Sequence, residues 1–350
     1  MLKIITTVPV IVKDLKITGG YDTGGGVCIG DGNQSTIACD VTLSSGTLIT
    51  GNKSSGNGAG VNVYRDSKLT IDGAVISGNI GSSSSESLGI GVYSNGKELI
   101  ITGNSKITGN TSTSTSGNYS AVACVQYNSN DTVTATIEGN AEISENEVRG
   151  LYIKSVPLTL KGNCKISGNQ NKSTSTSNGA NYGGGIFATA SNLYEITVSE
   201  NTEISGNSAK NGGGLGIYSS NVAVNFTGGS ISGNTLTNSS GQGKGVFLFM
   251  GTVNADRFNM SGTAVIANNN DICLSGIGAK ITVGSLTPPT GVTTVATITP
   301  NNNTYSDSIQ VLTGSLDGAY QLFAVTPDSS TSPSTPWYVS STGYLTDTQP

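Results

Sequence analysis

Apolar residues in this chain fall in short alternating runs and not in long helical stripes. Residues 60–79 contain three such runs, Val61-Asn62-Val63, Leu69-Thr70-Ile71 and Val75-Ile76-Ser77. Alternation with period two, bounded by Gly, Asn and Asp, is the signature of a half-buried strand. The first run returns as Ile90-Gly91-Val92, Ile186-Phe187, Leu215-Gly216-Ile217 and Val246-Phe247-Leu248. The second returns as Leu158-Thr159-Leu160, Ile196-Thr197-Val198 and Val222-Ala223-Val224. The third always carries an isoleucine, and three residues after it stands an asparagine. The pairs are Ile49/Asn52, Ile76/Asn79, Ile107/Asn110, Ile143/Asn146, Ile166/Asn169, Ile204/Asn207, Ile231/Asn234 and Ile266/Asn269.

Successive asparagines lie 27, 31, 36, 23, 38, 27 and 35 residues apart. Three strands in a unit of that size, repeated along the chain, predict a solenoid whose units contact only their neighbours. The predicted fold is all-β: a right-handed single-stranded parallel β-helix of three sheets and roughly nine to eleven coils. Residues 1–287 are assigned to the β-helix, and 288–350 to a C-terminal β-rich cap or an extension of the same domain. Right-handedness follows from the bias of parallel crossovers. Each strand pairs with its counterpart about 4.8 Å away, so the isoleucines line up as one internal ladder.

Neighbouring columns agree. Two residues before the isoleucine stand small side chains, Thr47, Ala74, Ser105, Ala141, Cys164, Thr202, Gly229 and Ala264. One residue before it, Lys106, Glu142, Lys165 and Glu203 alternate in sign and should stack outside. Asn104, Asn140, Asn163 and Asn201 form a second asparagine column at the preceding turn. Asparagine tolerates left-handed corners, and stacked amides hydrogen-bond one another. The main column Asn52, Asn79, Asn110, Asn146, Asn169, Asn207, Asn234 and Asn269 is therefore a structural ladder.

Composition narrows function mostly by exclusion. Among 350 residues there are 17 Lys and Arg against 22 Asp and Glu, a net charge of −5. With only Arg65, Arg149 and Arg257 as arginines, a nucleic-acid partner is not expected. No apolar run is long enough for a membrane span. The opening residues read as strand and not as a signal peptide, so a mature chain or a segment of something longer is expected. The cysteines Cys28, Cys39, Cys124, Cys164 and Cys273 show no metal-ligand spacing. No histidine occurs, which removes the commonest general base and the His-dependent nucleophile arrangements. The densest acidic group, Glu138, Glu142, Glu145 and Glu147, follows the repeat. No catalytic, cofactor or metal residue is assigned.

Glycine-rich tetrapeptides precede first strands: Gly24-Gly25-Gly26-Val27, Gly58-Ala59-Gly60-Val61, Gly183-Gly184-Gly185-Ile186 and Gly212-Gly213-Gly214-Leu215. With the Ile-x-x-Asn element, these resemble the GGA[ILV] and FxxN elements of bacterial polymorphic outer-membrane protein repeats. The wider likeness is to large bacterial surface repeat proteins and the pectate-lyase-like group of β-helices. It covers about residues 20–283. The chain departs from the family pattern in having Gly for Ala and Ile for Phe.

The resemblance implies a secreted or cell-surface location and a non-catalytic, adhesin-like scaffold contacting a host or bacterial surface protein or a glycan. Alternatives are a polysaccharide lyase or glycoside hydrolase of the pectate-lyase-like group, and a structural spacer within a larger surface protein. Tyr64, Tyr93, Tyr127, Tyr152 and Tyr218 recur near the end of the first strand and form a possible ligand-binding face. Insertions at Ile80–Leu88, Thr111–Ser120, Gln170–Gly184 and Thr235–Lys244 fall at one corner, the other place for binding. Shortening Gln170–Gly184 is expected to leave the fold intact.

Overall fold

The computed structural model describes residues 1–22, 24–32, 37–82, 86–126, 132–175, 177–249, 257–267, 269–276 and 278–350. Among them the chain winds as a three-sheet parallel β-helix. The first sheet has 13 strands, from Leu2–Ile4 through Val61–Val63 and Arg149–Lys154 to Phe323–Val325. The second has 11, from Val10–Val12 to Leu312–Gly314, and the third has nine, from Lys16–Ile17 to Val265–Ile266. Each strand pairs in parallel with its counterpart one coil away. Val61, for example, lies between Val27 and Val92.

The isoleucines form the predicted ladder. Ile49, Ile76, Ile107, Ile143, Ile166, Ile204, Ile231 and Ile266 are in direct register. Ile17 adds a rung before them. Each of the eight is 1% exposed or less, and each buried side chain contributes roughly 1.5–3 kcal/mol. The small-residue column is buried beside it: Thr47, Ser105, Cys164 and Thr202 are all within 1% of complete burial.

The glycine motif and the Ile-x-x-Asn motif are two halves of one contact. The third glycine of each tetrapeptide lies against the ladder, where a side chain would not fit. A Cβ on Gly26 would sit 2.8 Å from Ile49 Cγ2 and 2.9 Å from Asn52 Nδ2. One on Gly185 would sit 2.7 Å from the Gly214 carbonyl and 2.9 Å from Asn207 Nδ2. Glycine at this column is a packing requirement.

The sheets end at different coils. The third stops at Val265–Ile266, while the first continues through Ala296–Thr299 and Phe323–Val325, and the second through Leu312–Gly314. The C-terminal region is thus built partly on the same sheets and not on a separate scaffold. An antiparallel pair, Tyr338–Val339 with Leu345–Thr346, folds over it and sends Val339 and Leu345 into the main core.

Candidate functional site

The asparagine ladder uses its whole hydrogen-bonding capacity on itself. Asn146 Nδ2 donates to Asn169 Oδ1 at 2.8 Å in the following coil and to the Ile107 carbonyl at 3.0 Å in the preceding one. Its Oδ1 accepts from the Asn110 backbone N–H at 2.9 Å and from Asn110 Nδ2 at 3.0 Å. The same pattern runs through Asn52, Asn79, Asn110, Asn169, Asn207 and Asn234. At the first end Gly20 N–H donates to Asn52 Oδ1. At the other end the ladder closes on Asn270 and not on Asn269. Asn270 Oδ1 accepts from Asn234 N and Nδ2 at 3.1 and 2.8 Å, while Asn269 Oδ1 turns to Gly233 N–H at 3.4 Å. One extra residue separates Ile266 from this corner, so counting three residues on lands one position short. Fully satisfied amides with no exposure leave nothing to present to a ligand.

The outer columns are also mutually engaged. Asn140 Nδ2 donates to Asn104 Oδ1, Asn163 to Asn140 and Asn201 to Asn163, at 3.0–3.1 Å. Ion pairs join Lys106 to Glu142 at 3.3 Å and Lys165 to Glu203 at 3.5 Å. Glu138 pairs with Lys161 at 2.9 Å and Glu147 with Lys172 at 3.1 Å. Glu145 takes the left-handed corner conformation, φ 54°, that glycine adopts in most neighbouring coils. Three of the four clustered carboxylates, Glu138, Glu142 and Glu147, thus sit on lysine partners along the outer surface.

The tyrosine face is not the open line the sequence suggested. Tyr93 and Tyr152 are 4% and 7% exposed, and Tyr64 and Tyr218 are half-buried; Tyr127 lies outside the described residues. Burial pushes the Tyr64 hydroxyl pKa above its ordinary value. The outward column of the first sheet runs Tyr93, Ala123, Tyr152, Phe187, Gly216 and Phe247 in register. Tyr152 and Phe187 pack at 5.5 Å, Tyr182 against Tyr218 at 5.3 Å and Phe247 at 5.2 Å, and Tyr218 stacks on Phe249 at 4.9 Å. These rings form a second apolar layer outside the coil. Being aromatic and outward, they looked solvent-facing in the sequence; the insertion Gln170–Gly184 adds Tyr182 to the layer and brings Gly179 against the Phe187 ring.

That cover corrects the expectation for Gln170–Gly184. Asn171, Ala180 and Asn181 within it are buried, and Asn171 Nδ2 donates to the Ala180 and Tyr182 carbonyls, each at 3.0 Å. The insertion reaches across the short coil between Asn146 and Asn169, which has no insertion of its own: Thr174 N–H and Ser173 Oγ each donate at 2.8 Å, to the Thr115 and Gly117 carbonyls. Arg149 fills the gap below. Its guanidinium is fully buried, donates to the carbonyls of Ala180 and Gly179 and to Asn118 Oδ1, and lies 4.6 Å from the Phe187 ring centroid. The insertion is a roof over a buried charge and an aromatic layer.

No protein-family model, curated protein or solved structure matches the chain. Among the described residues, no helix is long and apolar enough to cross a membrane, and no group of three or more Cys, Asp or Glu is placed to hold a metal ion. Concave surface lies both beside Arg65, Asp66 and Lys97, where a cavity of about 230 Å³ opens, and near the C-terminal cap. Cavities of about 430 and 490 Å³ lie there, and one of about 280 Å³ sits in the notch left where the third sheet stops.

Proposed function

We propose that this protein is a non-catalytic bacterial β-helix, secreted or held at the cell surface, that acts as an extended adhesin-like scaffold. Its partner on this reading is a surface protein or a glycan, with no role for nucleic acid. The observation that carries the reading is the self-sufficiency of the repeat. Both asparagine columns and three of the four clustered glutamates are engaged by contacts from coil to coil, which leaves the variable inserted edge and the cap as the natural places for binding. Resemblance of the GGG[VIL] and Ile-x-x-Asn elements to the GGA[ILV]/FxxN repeat type points the same way, and that repeat type and a right-handed coil belong to the proposal.

The test is a pair of measurements on the full chain. Immobilised protein is exposed to glycan arrays and to bacterial and host-cell surfaces. In parallel it is incubated with neutral and acidic polysaccharides, with and without Ca²⁺. Saturable retention without new reducing ends or unsaturated products is the expected result. Turnover of any polysaccharide would replace the scaffold reading with the lyase or hydrolase alternative.

A further inference from the structure

The two ends of the solenoid are finished differently. At the C-terminal end the pair Tyr338–Val339 and Leu345–Thr346 lies over the last strands, held by Val311 N–H to the Gly343 carbonyl and Leu345 N–H to the Ile309 carbonyl, each at 2.9 Å. The first coil has no such cover among the described residues. Its strands Leu2–Ile4, Val10–Val12 and Lys16–Ile17 each stand at the outer edge of their sheet, with a partner on one side. Leu2 N–H donates to the Gly26 carbonyl at 2.8 Å and the Ile4 carbonyl accepts from Gly30 N–H at 2.9 Å. By strand alternation the Lys3 N–H and C=O between them point to the open side. The inward residues Ile4, Val12 and Ile17 keep slight exposure, where their register partners Ile29, Leu43 and Ile49 have none. Six of the nine exposed large apolar side chains among the described residues also belong to this coil: Met1, Ile5, Val8, Ile11, Leu15 and Tyr21. Apolar side chains gathered on an end with open strand edges mark an association surface.

We propose that this end pairs with the same end of a second copy of the chain, giving a closed two-fold dimer joined head to head. The size is right: the first coil supplies residues 1–22, and a standard stable interface draws about 20–30 residues from each side. The symmetry is right as well. With the two-fold axis at Ile11, which is 70% exposed and central in Val10–Val12, that strand meets its copy antiparallel. Ile11 then faces Ile11, Val10 faces Val12, and Lys13 faces Pro9. The same rotation exchanges the first and third sheets, so Leu2–Ile4 of each copy meets Lys16–Ile17 of the other and all three open edges are paired at once. Lysine and proline on an edge discourage indiscriminate strand addition. Here Lys3 and Lys13 bring their own carboxylates, Asp31 at 2.6 Å and Asp14 at 3.9 Å, and this register keeps Lys13 away from its copy. The competing arrangement is head to tail, because residues 288–350 contain Asp307, Asp317, Asp328 and Asp347 and no basic residue. It would gain only exposed ion pairs, each worth little. It would also leave the open edges and apolar side chains of the first coil against a closed cap. The pairing does not depend on what the scaffold recognises, and it sets one cap at each far end of a doubled rod.

Sedimentation velocity on the full chain, from about 1 µM to about 0.1 mM, is expected to show a single step of association to twice the 35.4 kDa chain mass. Ile11→Lys sets two like charges against each other at the axis and should weaken association at least tenfold. Its melting curve at dilutions where wild type is monomeric should match wild type, because the side chain is exposed. Leu193→Lys, at an exposed apolar residue many coils away, should change nothing. Ile11→Cys should give a disulfide-linked dimer under mild oxidation. Facing residues of an antiparallel pair lie about 4.5–5.5 Å apart at Cα, inside the span that a disulfide bridges, and the five native cysteines are buried. The proposal is overturned if wild type stays monomeric at about 0.1 mM, or if Ile11→Lys associates as wild type does. It is equally overturned if the mass keeps growing with concentration, the mark of a head-to-tail chain, or if a dimer forms and Ile11→Cys does not cross-link. Binding of a glycan or a cell surface by a strictly monomeric wild type would leave the proposed function standing and this pairing refuted.

Discussion

Asn146→Ala and Asn140→Ala remove the same side-chain amide from two columns within one coil, yet they should differ severalfold in effect. Asn146 is fully buried. Its loss strands two donors, the Asn110 backbone N–H and one Nδ2 hydrogen, and takes a donor from the Ile107 carbonyl. Asn169 Oδ1 keeps the Asn146 backbone N–H at 3.3 Å. An orphaned buried polar group costs about 1–3 kcal/mol, so two predict a loss of about 2–6 kcal/mol, lower in that range if one water enters the vacated volume. Asn140 makes the same kind of amide bonds, to Asn104 and from Asn163, each at 3.1 Å, but in contact with solvent. Water replaces those bonds, and its removal should cost within about 0.5 kcal/mol. Urea titration followed by circular dichroism measures the difference. Coil-resolved hydrogen exchange across residues 107–169 accompanies it, because long repeat arrays need not unfold in one step. Equal midpoint shifts for the two variants would refute the claim that burial, and not the stacked amide as such, gives the ladder its weight.

Three further outcomes are expected. Ile166→Asp places an unpaired charge in the central ladder and should lower stability by about 3–5 kcal/mol, read as a large drop in melting temperature. Deleting the insertion between Gln170 and Gly184 should destabilise the fold, because it removes the Gly179 and Ala180 carbonyls that Arg149 donates to and uncovers the aromatic layer; a deletion variant melting with wild type would contradict the roof. Burial holds the Cys124 thiol up at about 12 against an ordinary 9.0. The thiol stays neutral in the fold while the unfolded chain ionises, so its contribution is intact below pH 9 and is lost as pH rises from 9 towards 12. Cys124→Ala should flatten that alkaline decline by up to roughly 4 kcal/mol at about 1.36 kcal/mol per unit, and native Cys124 should resist thiol reagents at pH 8.

The coil was legible because its determinants are local and repeated. An isoleucine in a three-residue strand, a small residue two before it and an asparagine three after it each read the same way in successive coils. Reading failed where the cause was not periodic. A single added residue after Ile266 moved the last ladder position from Asn269 to Asn270, and nothing local distinguishes the two. Tyr93 and Tyr152 face outward as their alternation implies, but they are buried in an outer apolar layer shared by neighbouring coils, with Leu88, Val125 and Phe187. Arg149 looked like one of three scattered arginines. Its role depends on Ala180 and Asn118, each 31 residues distant. The cap cavity lies where the repeat lapses, so periodicity held no trace of it.

The buried asparagine column also makes the rod electrically polar. From Asn52 to Asn234 every amide presents oxygen towards the amino end and nitrogen towards the carboxyl end. Each amide carries a dipole of about 3.5 D, and aligned dipoles add as they do along a helix. The solvent-facing column at Asn104, Asn140, Asn163 and Asn201 points the opposite way, but water screens it. The interior column therefore sets the sign, with its positive pole at Asn270. That pole lies beside Asp271, so a carboxylate stands at the ladder's positive end as it would at the amino end of a helix.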